Sequence, residues 1–192
     1  MPNTVDTDNF VCVTVSGITP EEWDKAQDNT LVLRDPSDIH TYKGVNGRIL
    51  LDERDSNRIY VNGLYVCNGK SLTYGYDFSS SIINLDRDRK LIDSFDISWN
   101  SSKLWVESLR SLKDKDSSLY EEAVSKVSLL IKNNSSDTNY IANNAYNHND
   151  SNHDLGRIYL TNFKDKYGSD AIPCKNYEEV KFYRARGKVG LS

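Results

Sequence analysis

The chain has 192 residues, of which 38% are hydrophobic and 27% are charged, a composition that supports a packed core and argues against wholesale disorder. Lys and Arg number 24 against 28 Asp and Glu, which gives a net charge of −4. This balance lacks the basic field that drives generic nucleic-acid binding, so a nucleic-acid partner is not expected. No apolar run approaches the ~20 residues that span a bilayer, so a membrane protein is not expected either.

The cysteines and histidines do not indicate a metal site. The chain has three cysteines, Cys12, Cys67 and Cys174, which are far apart and form no C-x-x-C pair. An odd number at this spacing favours reduced thiols over a disulfide framework or a zinc site. His148 and His153 are five residues apart, so they do not share a helix face.

The N-terminus also lacks the basic and apolar regions of a secretion signal. We therefore expect a cytoplasmic protein without a metal or a cofactor.

The first half of the chain has mostly β patterns. Phe10–Ser16 alternates with period two and predicts a strand. Thr19 and Glu22 form a capping box that opens a helix of about two turns. Short apolar runs at Leu31–Leu33 and Arg48–Leu51 come next, each bounded by residues that favour turns, and they predict two further strands.

The segment Asn57–Cys67 fits two interpretations. Asn62-Gly63 between apolar runs is the strongest short-range signal for a β-hairpin. However, Tyr60 and Tyr65 also fit one longer strand that is bent by a bulge at Gly63. The bent strand is the favoured interpretation.

Tyrosines are concentrated in this β region. Leu72–Phe78 predicts the next strand, with Tyr74 and Tyr76 on one face. Together with Tyr60 and Tyr65, these rings could form an exposed face that binds a partner protein. Ordinary cross-strand packing explains the four rings about as well.

The second half of the chain has helical patterns. Ser101 or Ser102 is expected to cap a helix that ends near Leu112, with apolar side chains along one side. Ser118 and Glu121 form a second capping box, which opens a helix of about four turns.

The end of the chain predicts smaller elements. A short polar helix is expected at Tyr140–Tyr146 and a longer helix at Leu155–Tyr167. The strand Ala171–Cys174, the helix Tyr177–Arg186 and the strand Lys188–Leu191 then have the spacing of a small right-handed βαβ crossover.

The pattern changes from β to helical near residue 98. The predicted fold class is therefore α+β. A β-rich domain over residues 1–98 precedes a helix-rich domain over residues 99–192, which ends in the small βαβ unit.

The segment 86–90 contains only charged residues: Asp86, Arg87, Asp88, Arg89 and Lys90. In an extended chain the two Asp side chains lie on one face and the two Arg side chains on the other. They could form a metal or phosphate site, or ion pairs that hold this segment against its neighbours. The ion pairs are favoured because the sequence places no third ligand, and no catalytic motif is visible. A nucleotide- or metal-dependent enzyme centred on Asp86 and Asp88 remains an alternative.

Three short motifs, taken in order, resemble a region found in bacterial and phage ATPases. They are Arg58–Val66, Tyr74–Phe78 and Leu85–Arg89, and Tyr167–Pro173 is similar to a later stretch of such chains. The family is the GHKL superfamily of gyrase, Hsp90, histidine kinases and MutL, in particular the phage rIIA-like proteins. The matching region there lies after the nucleotide-binding domain. The resemblance implies a transducer-like αβ domain of the S5 type in the β-rich half.

The sequence departs from that superfamily at the ATP site, because it has no D-x-G-x-G turn, no glycine-rich lid and no Asn-bearing helix. The resemblance therefore implies a transducer without its ATPase, in which Lys70 or Lys90 would contact a nucleotide phosphate. Such a module acts by docking onto an ATPase domain, a second copy of itself or a host protein.

The function we expect is that of a non-catalytic protein-interaction module from a phage or a bacterium. The partner would bind the tyrosine-rich β face and residues 86–89, and it could belong to a host or antiviral-defence complex. An alternative is the transducer domain of a larger GHKL-type ATPase.

Overall fold

A computed structural model of the chain describes residues 14–83, 94–147, 153–174 and 176–191. Most of the strand expected at Phe10–Ser16 lies outside this range, and residues 14–16 are not in a strand. The fold is α+β, as predicted. In the part of the chain that is described, no helix has the length and apolar character needed to cross a membrane.

Six α-helices lie within the described residues. They are α1 (Pro20–Asn29), α2 (Ser94–Lys113), α3 (Ser117–Lys132), α4 (Ile141–Asn147), α5 (His153–Tyr167) and α6 (Tyr177–Arg184). Short 3-10 turns connect several elements; they are Leu31–Leu33, Pro36–Asp38, Glu53–Asp55 and Ser136–Thr138.

Seven strands form two sheets in the same residues. They are β1 (Thr41–Gly44), β2 (Gly47–Leu50), β3 (Arg58–Val61), β4 (Leu64–Asn68), β5 (Gly75–Phe78), β6 (Ala171–Pro173) and β7 (Val189–Leu191). The larger sheet has the order β1-β2-β5-β3-β4, and its pairs are antiparallel except for β3 with β5. β6 and β7 pair in parallel on either side of α6, which confirms the predicted βαβ unit.

The favoured interpretation of Asn57–Cys67 is wrong, because the segment is a hairpin of β3 and β4. Asn62 and Gly63 both have positive φ, 50° and 80°. Two consecutive residues with positive φ form a type I′ turn, whose twist matches that of the flanking strands. Asn and Gly adopt this conformation at little cost, so the chain reverses here and does not bend.

The first helix begins as predicted, and the next helix does not. Thr19 accepts from the Glu22 amide while the Glu22 carboxylate accepts from the Thr19 amide, which is the expected capping box. α2 starts at Ser94, so Ser101 and Ser102 do not cap it. They lie inside the helix and are buried.

Two further local predictions are corrected by the structure. The cap of α3 is Asp116, whose carboxylate accepts from the amides of Ser118 and Leu119. It displaces Ser118 from that role because it stands one residue before the helix. Leu31–Leu33 forms a 3-10 turn instead of a strand, with Leu31 buried against the sheet.

One face of the larger sheet, here called the inner face, packs against α2. The buried core continues from this contact into α3, α4 and α5. Its largest side chains are Tyr42, Ile49, Ile59, Tyr76, Phe78 and Trp105. The boundary expected near residue 98 lies inside α2, whose side chains share this core with the sheet.

A buried carboxylate, Asp137, joins the sheet to the helices. It accepts hydrogen bonds from the amides of Thr73 at 2.7 Å and Tyr74 at 3.2 Å, immediately before β5. The hydroxyl of Tyr76 donates to the same carboxylate, and the hydroxyl of Ser135 donates to it at 2.5 Å. A buried charge needs such partners, since without them its desolvation is strongly unfavourable.

The same junction holds α2 in place. Ser102 donates its hydroxyl to the backbone carbonyl of Asp137 at 2.9 Å, and Trp105 donates its indole N–H to the Tyr76 hydroxyl oxygen at 3.0 Å. Burial and the neighbouring carboxylate raise the pKa of Tyr76 well above its usual value, so the ring stays neutral. Sheet and helix are therefore tied by polar bonds as well as by apolar packing.

We predict that Asp137→Ala lowers the free energy of unfolding by about 3 kcal/mol or more, because several buried donors lose their acceptor together. Urea unfolding followed by circular dichroism measures the change. Asn139→Ala, at an exposed position two residues away, is the control and should stay within about 0.5 kcal/mol of wild type. Equal stability of the two variants would contradict the role given to Asp137.

Candidate functional site

Five side chains from five neighbouring strands form a row on the outer face of the sheet, which is the face turned away from α2. The strand register pairs Lys43 with Arg48, Arg48 with Asp77, Asp77 with Tyr60, and Tyr60 with Tyr65. Side chains alternate between faces along a strand, so these residues point away from the inner core. The row is aromatic at one end and charged at the other.

A buried ion pair organises the aromatic end of the row. Arg34 places one terminal nitrogen 2.9 Å from both carboxylate oxygens of Asp55, and both side chains are almost fully buried. The Tyr60 hydroxyl oxygen accepts from Arg34 and from Arg58 at 2.8 Å, and lies 2.9 Å from an Asp55 oxygen. These bonds satisfy the buried charges, which is the condition under which such a pair is tolerated.

The same arginines attach α1 to the sheet. Arg34 donates to the backbone carbonyls of Gln27 and Asp28 at 2.9 Å, and Arg58 donates to that of Asp28 at 3.0 Å. The last carbonyls of a helix lack partners within the helix, and cationic side chains favour this end. α1 has no buried residue, so hydrogen bonds such as these contribute to its attachment.

Tyr65 is the half-exposed member of the aromatic end. Its ring packs edge-on to Tyr60 with 5.9 Å between ring centroids. The guanidinium of Arg58 lies 4.4 Å from the Tyr65 centroid, a distance at which cation–π attraction operates. Tyr65 is thus half-buried, and its contacts with Tyr60 and Arg58 hold the ring in place.

The four tyrosines expected on one face are divided between two. Tyr60 and Tyr65 lie on the outer face, whereas Tyr76 lies in the inner core and Tyr74 packs edge-on against Trp105 at 5.4 Å. Tyr60 and Tyr76 have no exposed surface, so their rings act in packing and hydrogen bonding. Partner contact stays a prediction for Tyr65 and Tyr74, which are half-exposed.

The charged end of the row lines a groove on the outer face. Arg48 donates its Nε to Asp77 at 2.9 Å, and the other oxygen of Asp77 accepts from the Gly63 amide at 2.7 Å. These bonds fix the Arg48 guanidinium at the groove wall. Lys43, its neighbour on β1, is exposed.

This outer groove consists of two adjoining hollows of about 360 and 410 Å³, which share Lys43, Arg48 and Asp77 among their lining residues. Val45 lines one hollow and Val32 the other. They are 89% and 83% exposed, respectively. The groove therefore has two cations and the Asp77 carboxylate in its wall, with an exposed apolar side chain in each hollow.

An open sheet edge borders the outer groove. Within the described residues β1 pairs with β2 and with no other strand. Alternate residues of an edge strand direct their amide and carbonyl groups away from the sheet, and these groups can pair with an added strand. The groove and the edge together offer side-chain and backbone contacts in one place.

The remaining predicted site residues lie elsewhere. Lys70 is exposed beside a separate hollow of about 320 Å³, which is also lined by Phe95 and Tyr140. The residues of the charged segment fall outside the described ranges; they are Asp86, Arg87, Asp88, Arg89 and Lys90. Among the residues that the structure does describe, no three His, Cys, Asp or Glu side chains are grouped to hold a metal.

Sequence reasoning did not single out the outer groove. Val45 offered the best signal, because Gly44, Asn46 and Gly47 around it favour a turn, and turns usually lie at the surface. Lys43 and Arg48 could have been paired only by identifying that turn as the end of a hairpin.

Residues 21–111 match the family model described as the Mycoplasma pneumoniae MPN635 N-terminal domain. The matching range takes in the whole five-stranded sheet and most of α2, and so it includes the outer groove. No curated protein and no solved structure matches the chain.

We predict that Tyr60 makes stability fall at high pH. Burial and the Asp55 carboxylate raise its pKa to about 12, against ~10 in an unfolded chain. Between these values the unfolded chain releases the proton and the folded chain keeps it, so the free energy of unfolding falls as pH rises.

Urea unfolding at several pH values tests this with the Tyr60→Phe variant, which should lose less stability than wild type between pH 10 and 12. Tyr42 and Tyr76 also have raised pKa values because they are buried, so part of the decline should persist. Identical declines in the two proteins would show that Tyr60 does not titrate as stated.

Proposed function

We propose that this chain is a non-catalytic protein-interaction module that docks a segment of a partner protein in the outer groove. The observation that carries the proposal is the arrangement of Val32 and Val45, both exposed, in the same groove as Lys43 and Arg48. We place its action in the cytoplasm of a bacterium or of a phage-infected host.

The apolar side chains supply a reason for association. A single exposed valine is ordinary on a protein surface. Two in adjoining hollows are different, because one bound segment can cover both, and full burial of a valine contributes about 1.5–3 kcal/mol. Val32 and Val45 are therefore suited to contact apolar side chains at two positions of a docked segment.

The cations supply specificity. Asp77 holds the guanidinium of Arg48 through Nε, and arginine recognises carboxylates through paired N–H groups. Lys43 adds a second positive charge from the neighbouring strand. A segment with a carboxylate between two apolar residues complements this groove, and in extended form it could also pair with the edge of β1.

The partner must contain a segment with a carboxylate between two apolar residues, and three kinds of protein could supply it. It is a host protein such as a component of an antiviral-defence complex, an ATPase domain, or a second copy of this chain. Docking onto an ATPase domain corresponds to the alternative function, that of a transducer in a larger GHKL-type ATPase. Identifying the captured protein separates these sources.

Affinity capture from a lysate of the source cells tests the proposal, with mass spectrometry to identify and quantify what is bound. The groove variant carries Lys43→Glu and Val45→Asp, both at exposed positions. The control carries Lys132→Glu and Leu129→Asp, which make the same chemical changes at exposed positions on α3.

We expect wild type and the control to capture one protein in near-equal amount to the bait, and the groove variant to recover at least tenfold less of it. The purified partner should reproduce this difference in a binding titration. Loss in the control alone would move the docking site to α3, and the absence of any captured protein would contradict the proposal.

A further inference from the structure

The end of the chain carries a basic segment that the acidic net charge conceals. Residues 181–188 read Lys-Phe-Tyr-Arg-Ala-Arg-Gly-Lys, with four cations and no acid, in a chain whose net charge is −4. The segment spans the second half of α6 and the turn that leads to β7. A whole-chain charge is an average, and it says little about a local field of this kind.

The cations of the basic segment are all exposed, and so are two neighbouring aromatic rings. Tyr177 is 64% exposed and Phe182 is 51% exposed. α6 turns Val180 inward, and Gly190 of β7 approaches so closely that a Cβ there would lie 3.1 Å from the Val180 backbone. The packing of α6 on β7 therefore leaves both rings on the solvent side.

Each exposed ring lies next to a cation. The Lys181 amine is 4.8 Å from the Tyr177 centroid, and the Arg186 guanidinium carbon is 3.5 Å from the Phe182 centroid. Arg186 also donates to the Phe182 carbonyl at 3.1 Å. The rings are thus held in place, and each has positive charge beside it.

Two of the cations have acidic neighbours. Lys188 contacts Asp170 at 3.0 Å, and Lys181 contacts Glu178 at 3.7 Å. Arg184 forms no ion pair with any described residue. Arg184 and Arg186 are therefore the two cations of the segment whose charge no described acid balances.

We propose that this surface binds single-stranded nucleic acid. Exposed aromatic rings interleaved with cations are the arrangement by which proteins bind single strands, with bases stacked on rings and phosphates held by Lys and Arg. Tyr177 and Phe182 are five residues apart on α6, about 7.5 Å along its axis and about 140° around it. The rings therefore do not share one helix face, and a strand that stacks a base on each must pass around α6. Arg184 and Arg186 contact the phosphates.

The chemistry favours a single strand over other anionic partners. A duplex hides the faces of its bases and would use only the cations. A membrane surface would engage a longer amphipathic helix with a continuous apolar face, whereas the rings of this eight-residue helix alternate with charges. The inference rests on α6 and is independent of the outer groove.

Fluorescence anisotropy with the full chain and labelled 20-nucleotide oligo(dT) and oligo(U) tests the proposal across 50–200 mM salt. The affinity of wild type should fall with salt, with a log–log slope of about −0.7 for each phosphate neutralised. Arg184→Gln with Arg186→Gln should weaken binding at least tenfold and flatten the slope. Tyr177→Leu with Phe182→Leu should weaken binding and leave the slope unchanged.

Two variants complete the experiment. Arg184→Lys with Arg186→Lys keeps the charge and should keep most of the slope, which separates phosphate contact from packing of Arg186 on its ring. Lys115→Gln with Lys132→Gln removes two exposed charges elsewhere and should bind as wild type.

Several results would overturn the proposal. The first is that no oligonucleotide binds, and the second is that the Lys115 and Lys132 control loses as much affinity as the Arg184 and Arg186 variant. The others are equal affinity for a duplex of the same length, and binding to vesicles of anionic lipid instead of to oligonucleotides. A groove variant with Lys43→Glu and Val45→Asp should bind the oligonucleotides as wild type does, so this experiment and the protein-capture experiment fail separately.

Discussion

The hydrogen bonds around Asp137 are the interaction on which the rest of the structure depends. Its carboxylate accepts a hydrogen bond from the backbone amide of Thr73, just before β5, and another from the Tyr76 hydroxyl. The oxygen of that hydroxyl also accepts a hydrogen bond from the indole N–H of Trp105 on α2. A buried acid with this many partners is favourable only when sheet and helices are in one arrangement, because any displacement leaves a charge or a donor unsatisfied. These bonds therefore hold the inner face of the sheet against α2.

α2 does not cover the outer face, which carries a small packed cluster of its own and the outer groove. At its aromatic end, Arg34 and Asp55 use their charges to attach α1 and to fix Tyr60. At its other end Lys43 and Arg48 border a groove with exposed valines beside an open strand edge. The outer face is thus divided into a structural part and a part suited to contact another protein, while the basic surface of α6 lies on a separate βαβ unit.

Local features could be predicted from the sequence and distant contacts could not. The capping box of Thr19 depends on two residues that are close in sequence, and the βαβ unit depends on three short elements that follow one another directly, so local sequence patterns predict both. The hairpin at Asn62 was visible as a signal, but the tyrosines around it also fitted a bent strand, and that interpretation was favoured wrongly. Asp137 lies 61 residues from Tyr76, and no periodicity relates them. The outer groove could not be predicted without knowing the strand order. The basic segment was missed because charge was counted over the whole chain.

Hydrogen–deuterium exchange with the purified partner tests the central claim, that the outer face at β1 is the docking surface. The amides of Thr41–Gly44 should exchange more slowly in the complex than in the free chain, because a docked segment covers the groove and pairs with the strand edge. Core amides of α2 should be unchanged. Protection confined to α3 and α5, with β1 exchanging as in the free chain, would contradict the account.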